Sequence, residues 1–222
     1  MSPDHTEENC PSTTTYPDDT GLLGVNGVRL RELVKTIRHG FLIDLGVQYG
    51  GSSRILLTEA VEHDNHVTGV DASVFCQFPS APNYQPVVAD SVSYLSDLNV
   101  PVDLCFHDDL HVAEQVMCEL YYVWPLLKVG GYCVFHDTGW PPDKHDVYCG
   151  ITWDPPGVGV SRFFLGSDCA ELVSYPESWG MTFARKVNHH DPRPLNNWLP
   201  VFHAHNLLAH DLDGTTAYHK EL

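Results

Sequence analysis

Along most of the chain, short apolar runs alternate with segments of helical periodicity. Phe41-Leu-Ile-Asp-Leu45 is the first run, and Ser52 to Ala60 behind it predicts a helix. His66-Val-Thr-Gly-Val-Asp71 predicts a second strand. Gln85-Pro-Val-Val-Ala-Asp90-Ser91 predicts a third, with a helix from Val92 to Leu98. The fourth run, from Val102 to His107, passes directly into acids and histidines. Val112 to Leu127 then predicts a helix closed by the glycine stop Lys128-Val-Gly-Gly131, and Tyr132 to Asp137 a fifth strand. Ahead of these, Gly24 to Arg38 has Val28, Leu30, Leu33, Val34 and Ile37 spaced for one face of an amphipathic helix. Glu171 to Tyr175 and Met181 to Val187 predict the last two strands, joined through Ser178-Trp-Gly180. Strands alternating with helices indicate an α/β fold around a mostly parallel sheet.

The remaining stretches have little periodicity. Residues 1–20 carry Pro, Ser, Thr and Asp with almost nothing to bury and predict a flexible arm. The main domain is expected over residues 21–187. Within it, about 138–164 should form a long loop acting as a lid or substrate surface. Trp140, Tyr148 and Trp153 offer flat apolar faces there, and Asp143, His145 and Asp146 offer polar groups. Gly157 to Phe164 predicts the return into the sheet. The extension 188–222 holds His189, His190, His203, His205 and His210. No compact ligand spacing occurs among them, so packing or a homodimer contact is expected there rather than a metal.

Composition narrows the partners. The 222 residues suit one domain with a full core. A net charge of −17 argues against nucleic acid and against an anionic membrane surface. No apolar run reaches membrane-spanning length, and the polar start of the chain does not read as a signal peptide. Seven cysteines without a C-x-x-C pair suggest buried free thiols in a reducing cytoplasm.

The chemistry gathers at strand ends. Gly46-x-x-x-Gly50-x-Ser52 is a strand-to-helix turn able to present backbone N–H groups to the polar end of a nucleotide-like ligand. Its glycines would let that ligand approach the backbone. Asp71 ends the next strand, where an acid can accept hydrogen bonds from ribose hydroxyls. Asp90 ends the third strand and could also cap the following helix. Adjacent parallel strands deliver their ends to one crevice, so Asp108, His111, His136 and Asp137 should converge.

From about Gly40 to Phe164 the chain resembles the Rossmann-like, class I S-adenosylmethionine-dependent methyltransferases, on Asp44-x-Gly46-x-x-x-Gly50 and Val70-Asp71. The likeness implies a doubly wound seven-stranded sheet, mostly parallel, closed by a C-terminal antiparallel hairpin. It also implies cofactor contacts from Asp44, Gly46, Gly50, Ser52, Asp71, Asp90 and Ser91, with the adenine amine near Asp90. A strand ending in Asp-x-x-His, a helix ending in Leu-Lys-x-Gly-Gly and a strand ending in His-Asp resemble more narrowly the metal-dependent sugar O-methyltransferases. These include the macrolide-sugar enzymes and the related cephalosporin-hydroxylase-like family. That resemblance implies a divalent metal on Asp108 and Asp137 with His136 beside them, and His111 as general base. Mg²⁺ is the first expectation and Mn²⁺ the second, because an imidazole ligand favours a transition ion. This chain has Asp109 where the family usually has glycine, and His136 where macrolide-sugar enzymes often have glutamate.

The implied reaction is methylation of a hydroxyl on a saccharide or glycosylated small molecule, as in polysaccharide modification. A catechol-like phenol would suit a similar metal site. From other classes, His107-x-Asp109 could belong to an iron oxygenase triad, and a degenerate methyltransferase fold could serve as a scaffold. The first motif belongs on an all-β barrel, which the strand–helix alternation opposes.

Overall fold

A computed structural model describes residues 23–141, 146–148 and 151–192. The expected arm, Asp143 and His145 of the expected lid, and most of the histidine-rich tail lie outside them. In chain order the elements are α1 (Gly24–Val34), β1 (Phe41–Leu45), α2 (Gly51–Leu56), β2 (His66–Asp71), β3 (Tyr84–Val88), α3 (Ser91–Asp97) and β4 (Val102–His107). There follow α4 (Ala113–Leu126), β5 (Leu127–His136), β6 (Asp146–Tyr148), β7 (Ile151–Trp153), α5 (Pro156–Phe164), β8 (Ala170–Tyr175) and β9 (Met181–Lys186). Among the described residues no helix is long and apolar enough to cross a membrane.

Seven strands form one sheet in the order β3-β2-β1-β4-β5-β9-β8. The first five are parallel, while β9 runs antiparallel to both β5 and β8. The doubly wound sheet and its terminal hairpin are therefore as the periodicity and the resemblance lead one to expect. Side chains alternate between two helical layers. Leu42, Leu104, Phe106 and Val134 pack with Leu30, Val34, Ile55 and Leu56 on one face. Ile43, Leu45, Cys105, Cys133 and Phe135 pack with Leu120, Trp124, Phe163 and Phe164 on the other. Cover on both faces explains why β1 and β4 read as nearly continuous apolar runs. Of the described cysteines, Cys105, Cys118, Cys133 and Cys169 are buried free thiols and Cys76 is a half-buried one.

Several local expectations needed tertiary information. The glycine stop after α4 is absent. The helix ends at Leu126, and Leu127 already pairs with Val102 in β5. Gly130, at φ +90°, and Gly131 instead accompany a register irregularity before Tyr132 meets Leu104. The segment 157–164 is helix, not a returning strand. Its valines and glycines favour extended structure locally. However, a Cβ on Gly159 would lie 2.4 Å from the Ala113 carbonyl oxygen and one on Gly157 2.5 Å from that of Thr138. Such close approach is available only to glycine, and the aromatic packing of Phe163 and Phe164 on Trp124 then holds the helix in place. The loop expected around 138–164 thus contains the β6–β7 hairpin and α5. Helices α1 and α2 are shorter than their periodicity suggests.

Candidate active site

Register places the functional residues at one level. Leu45 lies opposite Val70 and His107, and His107 opposite Phe135, so Gly46, Asp71, Asp108 and His136 fall beside one another. Strand order reverses between β1 and β4, where open α/β sheets form a crevice. Gly46 has φ +86° and Gly50 φ +74°, a region costly for residues with a Cβ. Their immediate reason is the chain itself. A Cβ on Gly46 would lie 2.2 Å from the Asp108 carbonyl oxygen, and one on Gly50 2.7 Å from that of Gln77. Local sequence suits both glycines to ligand approach but does not encode these neighbours.

Asp44 is fully buried and accepts hydrogen bonds from Ser52 and Ser53, the Ser52 bond measuring 2.9 Å. Its other oxygen has no hydrogen-bond partner. Burial pushes its carboxyl up to about 7, only partly offset by the two hydroxyls. Asp71 sits at the crevice edge and accepts from the Gln48 and Ser73 N–H groups at 2.8 and 2.7 Å. Asp90 caps α3 by accepting from Ser93 N–H at 2.8 Å.

The Asp44 shift has a testable sign. Between the ordinary value of 3.8 and about 7, the folded chain holds a proton there that the unfolded chain has released. That contribution is complete below 3.8 and is lost as pH rises through about 7. Urea midpoints measured at pH 5 and pH 8 should fall more for the native chain than for Asp44→Asn. Equal falls would remove this role.

Beneath the crevice lies a polar network that the sequence reading missed. Glu119, fully buried on α4, receives Ser91 Oγ at 2.6 Å, Gln115 Nε2 at 3.0 Å and His107 Nδ1 at 2.8 Å. Ser91 also reaches Asp109 Oδ2 at 2.7 Å. Burial lowers His107 to about 4, so its neutral ring donates through Nδ1 while stacking on Phe135 with ring centres 4.5 Å apart. Burial, reinforced by Glu119, holds Asp109 well above the usual carboxylate range. The available signal was Gln115 and Glu119, one turn apart on an otherwise apolar helix face. Glu119→Ala would strand the His107 Nδ1 donor, while Ser91 keeps Asp109 and Gln115 keeps Ser91, and should cost about 1–3 kcal/mol, whereas Glu119→Gln should cost less. Chemical denaturation measures both, and equal small losses would refute the assignment.

Asp108, His111, His136 and Asp137 do converge. His111 Nε2 stands 3.0 Å from Asp137 Oδ2 and 3.8 Å from Asp108 Oδ1. His136 Nδ1 stands 3.1 Å from Asp108 Oδ1 and 3.4 Å from Asp137 Oδ1. One ligand atom each from Asp108, His111 and Asp137 lies within 4.8 Å of the others. Asp137 has φ +57°, a left-handed conformation that aspartate tolerates better than most residues. The Trp140 ring lies 5.2 Å from that of His111. Burial acts to lower His111, but its hydrogen bonds to Asp108 and Asp137 outweigh it and push the imidazole up to about 10. For Asp137 burial works upward, and the two histidines nevertheless hold its carboxyl below the ordinary value.

This crevice can be compared with known proteins. Residues 43–138 match the family model described as a methyltransferase domain. Over that stretch the chain is similar to a methyltransferase domain. Its similarity to solved structures extends beyond those residues. A Corynebacterium glutamicum protein is 18% identical with a TM-score of 0.58, the match covering 78% of this chain and 83% of that one. MycE methyltransferase from the mycinamycin biosynthetic pathway, in complex with Mg and SAH, is 16% identical with a TM-score of 0.56. That match covers 81% of this chain and 54% of MycE. A putative caffeoyl-CoA O-methyltransferase from Staphylococcus aureus is 14% identical with a TM-score of 0.51, covering 72% of this chain and 83% of that one. No curated protein matches the sequence significantly.

The glycine turn and Asp71 form one side of the crevice. The acid–imidazole cluster faces it across the β1–β4 boundary, with Gly46 packed on Asp108. Ser91 is buried against Glu119, and Asp44 against Ser52 and Ser53. His107 and Asp109 are engaged in that network on an α/β sheet, which removes the oxygenase reading. At the end of the described chain, His190 Nδ1 lies 2.9 Å from Asp168 Oδ1. His203, His205 and His210 lie outside the described residues.

Proposed function

We propose that the protein is an S-adenosylmethionine-dependent O-methyltransferase acting on a hydroxyl of a saccharide or glycosylated small molecule. The observation that carries this reading is the convergence of Asp108, His111 and Asp137 beside the glycine turn. The Asp108 and Asp137 ligand atoms lie within 4.8 Å of each other, not far beyond the roughly 3–4.2 Å separations expected for ligands about 2.1 Å from one ion. One ring nitrogen of His111 lies within 4.8 Å of both. Asp108 and Asp137 would hold a divalent ion, Mg²⁺ first and Mn²⁺ second, with His136 beside them. When bound, such an ion lowers the pKa of an acceptor hydroxyl and fixes its oxygen. His111 is the general base, receiving the acceptor proton at Nε2. It can do so only while the two carboxylates are engaged elsewhere, because alone they hold it protonated. Trp140, beside His111, offers a flat face to the acceptor.

Similarity to MycE, a methyltransferase in complex with Mg and SAH, supports a divalent ion beside the cofactor. The saccharide acceptor rests on the resemblance of Asp108-x-x-His111 and His136-Asp137 to the sugar O-methyltransferases. Similarity to the putative caffeoyl-CoA O-methyltransferase supports a second reading, a catechol-like phenol. The test starts with EDTA-stripped protein titrated calorimetrically with S-adenosylmethionine and S-adenosylhomocysteine, with and without Mg²⁺ or Mn²⁺. Glycosides and catechols are then compared as acceptors of labelled methyl. Binding of both nucleosides and metal-dependent labelling of glycosides is expected. Labelling of catechols alone would select the phenol reading. Nucleoside binding without transfer to any acceptor would favour the scaffold, and no nucleoside binding would end the proposal.

A further inference from the structure

The turn between β8 and β9 lies against the cluster and is unusually constrained. Ser178, Trp179 and Gly180 have φ of +51°, +66° and +90°, three consecutive residues in left-handed conformations. Non-glycine residues persist there only where the surroundings over-determine them. Those surroundings are visible. Gly139 N–H donates to the Trp179 carbonyl at 2.8 Å, and a Cβ on Gly180 would lie 2.1 Å from Gly139 N. Thr182 Oγ1 donates to Thr138 Oγ1 at 2.9 Å. The turn thus clamps the backbone directly after Asp137, itself in a left-handed conformation.

It also fixes His136. The ring's Nε2 lies 3.1 Å from the Ser178 carbonyl oxygen. A carbonyl can only accept, so Nε2 must carry a proton and Nδ1 is the atom turned towards Asp108 and Asp137. On its far side the turn is tied to α1. Asn26, fully buried, donates from Nδ2 to the Glu177 carbonyl at 2.5 Å. Arg29 orients that amide by donating to Asn26 Oδ1 at 2.6 Å. The same guanidinium reaches Glu177 Oε2 at 3.2 Å and lies 3.9 Å above the Tyr175 ring. Hydrogen bonding, charge and ring stacking therefore link the first helix of the domain to the last turn.

We propose that Asn26 is a positioning residue for the acid–imidazole cluster. Through the Glu177–Gly180 turn it holds the His136 ring with Nε2–H occupied and Nδ1 presented to the ion. This rests on the metal-site reading above, and extends it to a residue far from the cluster in sequence. Partners that orient a ligating histidine through its second nitrogen typically change metal affinity 10–100-fold. Asn26 acts one step further back, so a loss of about tenfold is expected for Asn26→Leu.

The test uses the full-length protein labelled with ¹⁵N-histidine, read by NMR for the His136 Nε2 proton and titrated with Mn²⁺ by electron paramagnetic resonance. The native chain should show a slowly exchanging Nε2 proton. Asn26→Leu should lose it and bind Mn²⁺ about tenfold more weakly, with S-adenosylhomocysteine affinity unchanged within twofold. Arg29→Met, at a partly exposed position, should shift both readouts in the same direction by less, and carries the test if Asn26→Leu does not fold. A retained Nε2 proton, or unchanged Mn²⁺ affinity, in the folded variant overturns the proposal. Should the native chain bind no Mn²⁺, the metal reading falls. Retention or loss of the Nε2 proton then separately decides whether Asn26 positions His136.

Discussion

Gly46→Ala should destabilise the protein by about 2–5 kcal/mol and abolish measurable S-adenosylhomocysteine binding. Two costs add. A Cβ at φ +86° carries a backbone penalty of about 1–2 kcal/mol. The same Cβ would sit 2.2 Å from the Asp108 carbonyl oxygen, and relieving such overpacking costs roughly 1–3 kcal/mol. Relief requires the β1 and β4 ends to separate, which spoils the proposed cofactor turn and displaces Asp108 together. Gly51→Ala is the control, since a Cβ there meets nothing within 4 Å and the residue has no positive φ. It should be neutral or stabilising by about 0.4–1 kcal/mol. Urea denaturation and calorimetry measure both effects. A Gly46→Ala protein of native stability that still binds the nucleoside would show that the Gly46–Asp108 contact is dispensable.

Asp137→Asn should reduce methyl transfer about 10³-fold, or roughly 4 kcal/mol of barrier, while changing S-adenosylhomocysteine affinity less than threefold. Asparagine is the informative choice because it preserves size and tolerates the left-handed backbone at φ +57°. Removing the charge alone leaves His111 and His136 facing a neutral amide, and takes one anionic ligand from the proposed ion site. The proposed nucleoside site lies across the β1–β4 boundary and should be little affected. Single-turnover transfer with a competent acceptor, measured alongside nucleoside titration, separates the two effects. Activity within tenfold of native would remove Asp137 from the chemistry. A parallel loss of nucleoside binding would instead indicate a general collapse of the crevice.

The Asn26 proposal adds a structural reason for placing α1 before the first strand. In many sheets such a helix only covers a face, and Leu30 and Val34 do that here. The N-terminal turn of α1 serves a different purpose. Gly24, at φ +52°, lies so close to Ser178 that a Cβ would meet its hydroxyl at 2.4 Å, and Asn26 holds the Glu177 carbonyl. One end of the helix therefore supports the core and the other supports the cluster.

What the sequence determined by itself was whatever repeats over a few residues. Apolar runs of five or six residues located the strands, and helical spacing located α1, α3 and α4 within a few residues of their ends. Because parallel strands deliver their C-terminal ends to one edge, strand-end acids and histidines identified the crevice without any knowledge of contacts. That is why Asp108, His111, His136 and Asp137 could be grouped although far apart in the chain. Only the tertiary structure decided matters that depend on distant neighbours. It made 157–164 a helix because Gly159 fits against Ala113, and it showed that the Asp108 carbonyl already requires glycine at 46. It also placed Glu119 under Ser91 and His107, and Asn26 under the turn that holds His136. Periodicity records which face of an element is buried, but not which residue of another element meets it there. That choice depends on close packing and directional hydrogen bonds between segments up to 151 positions apart.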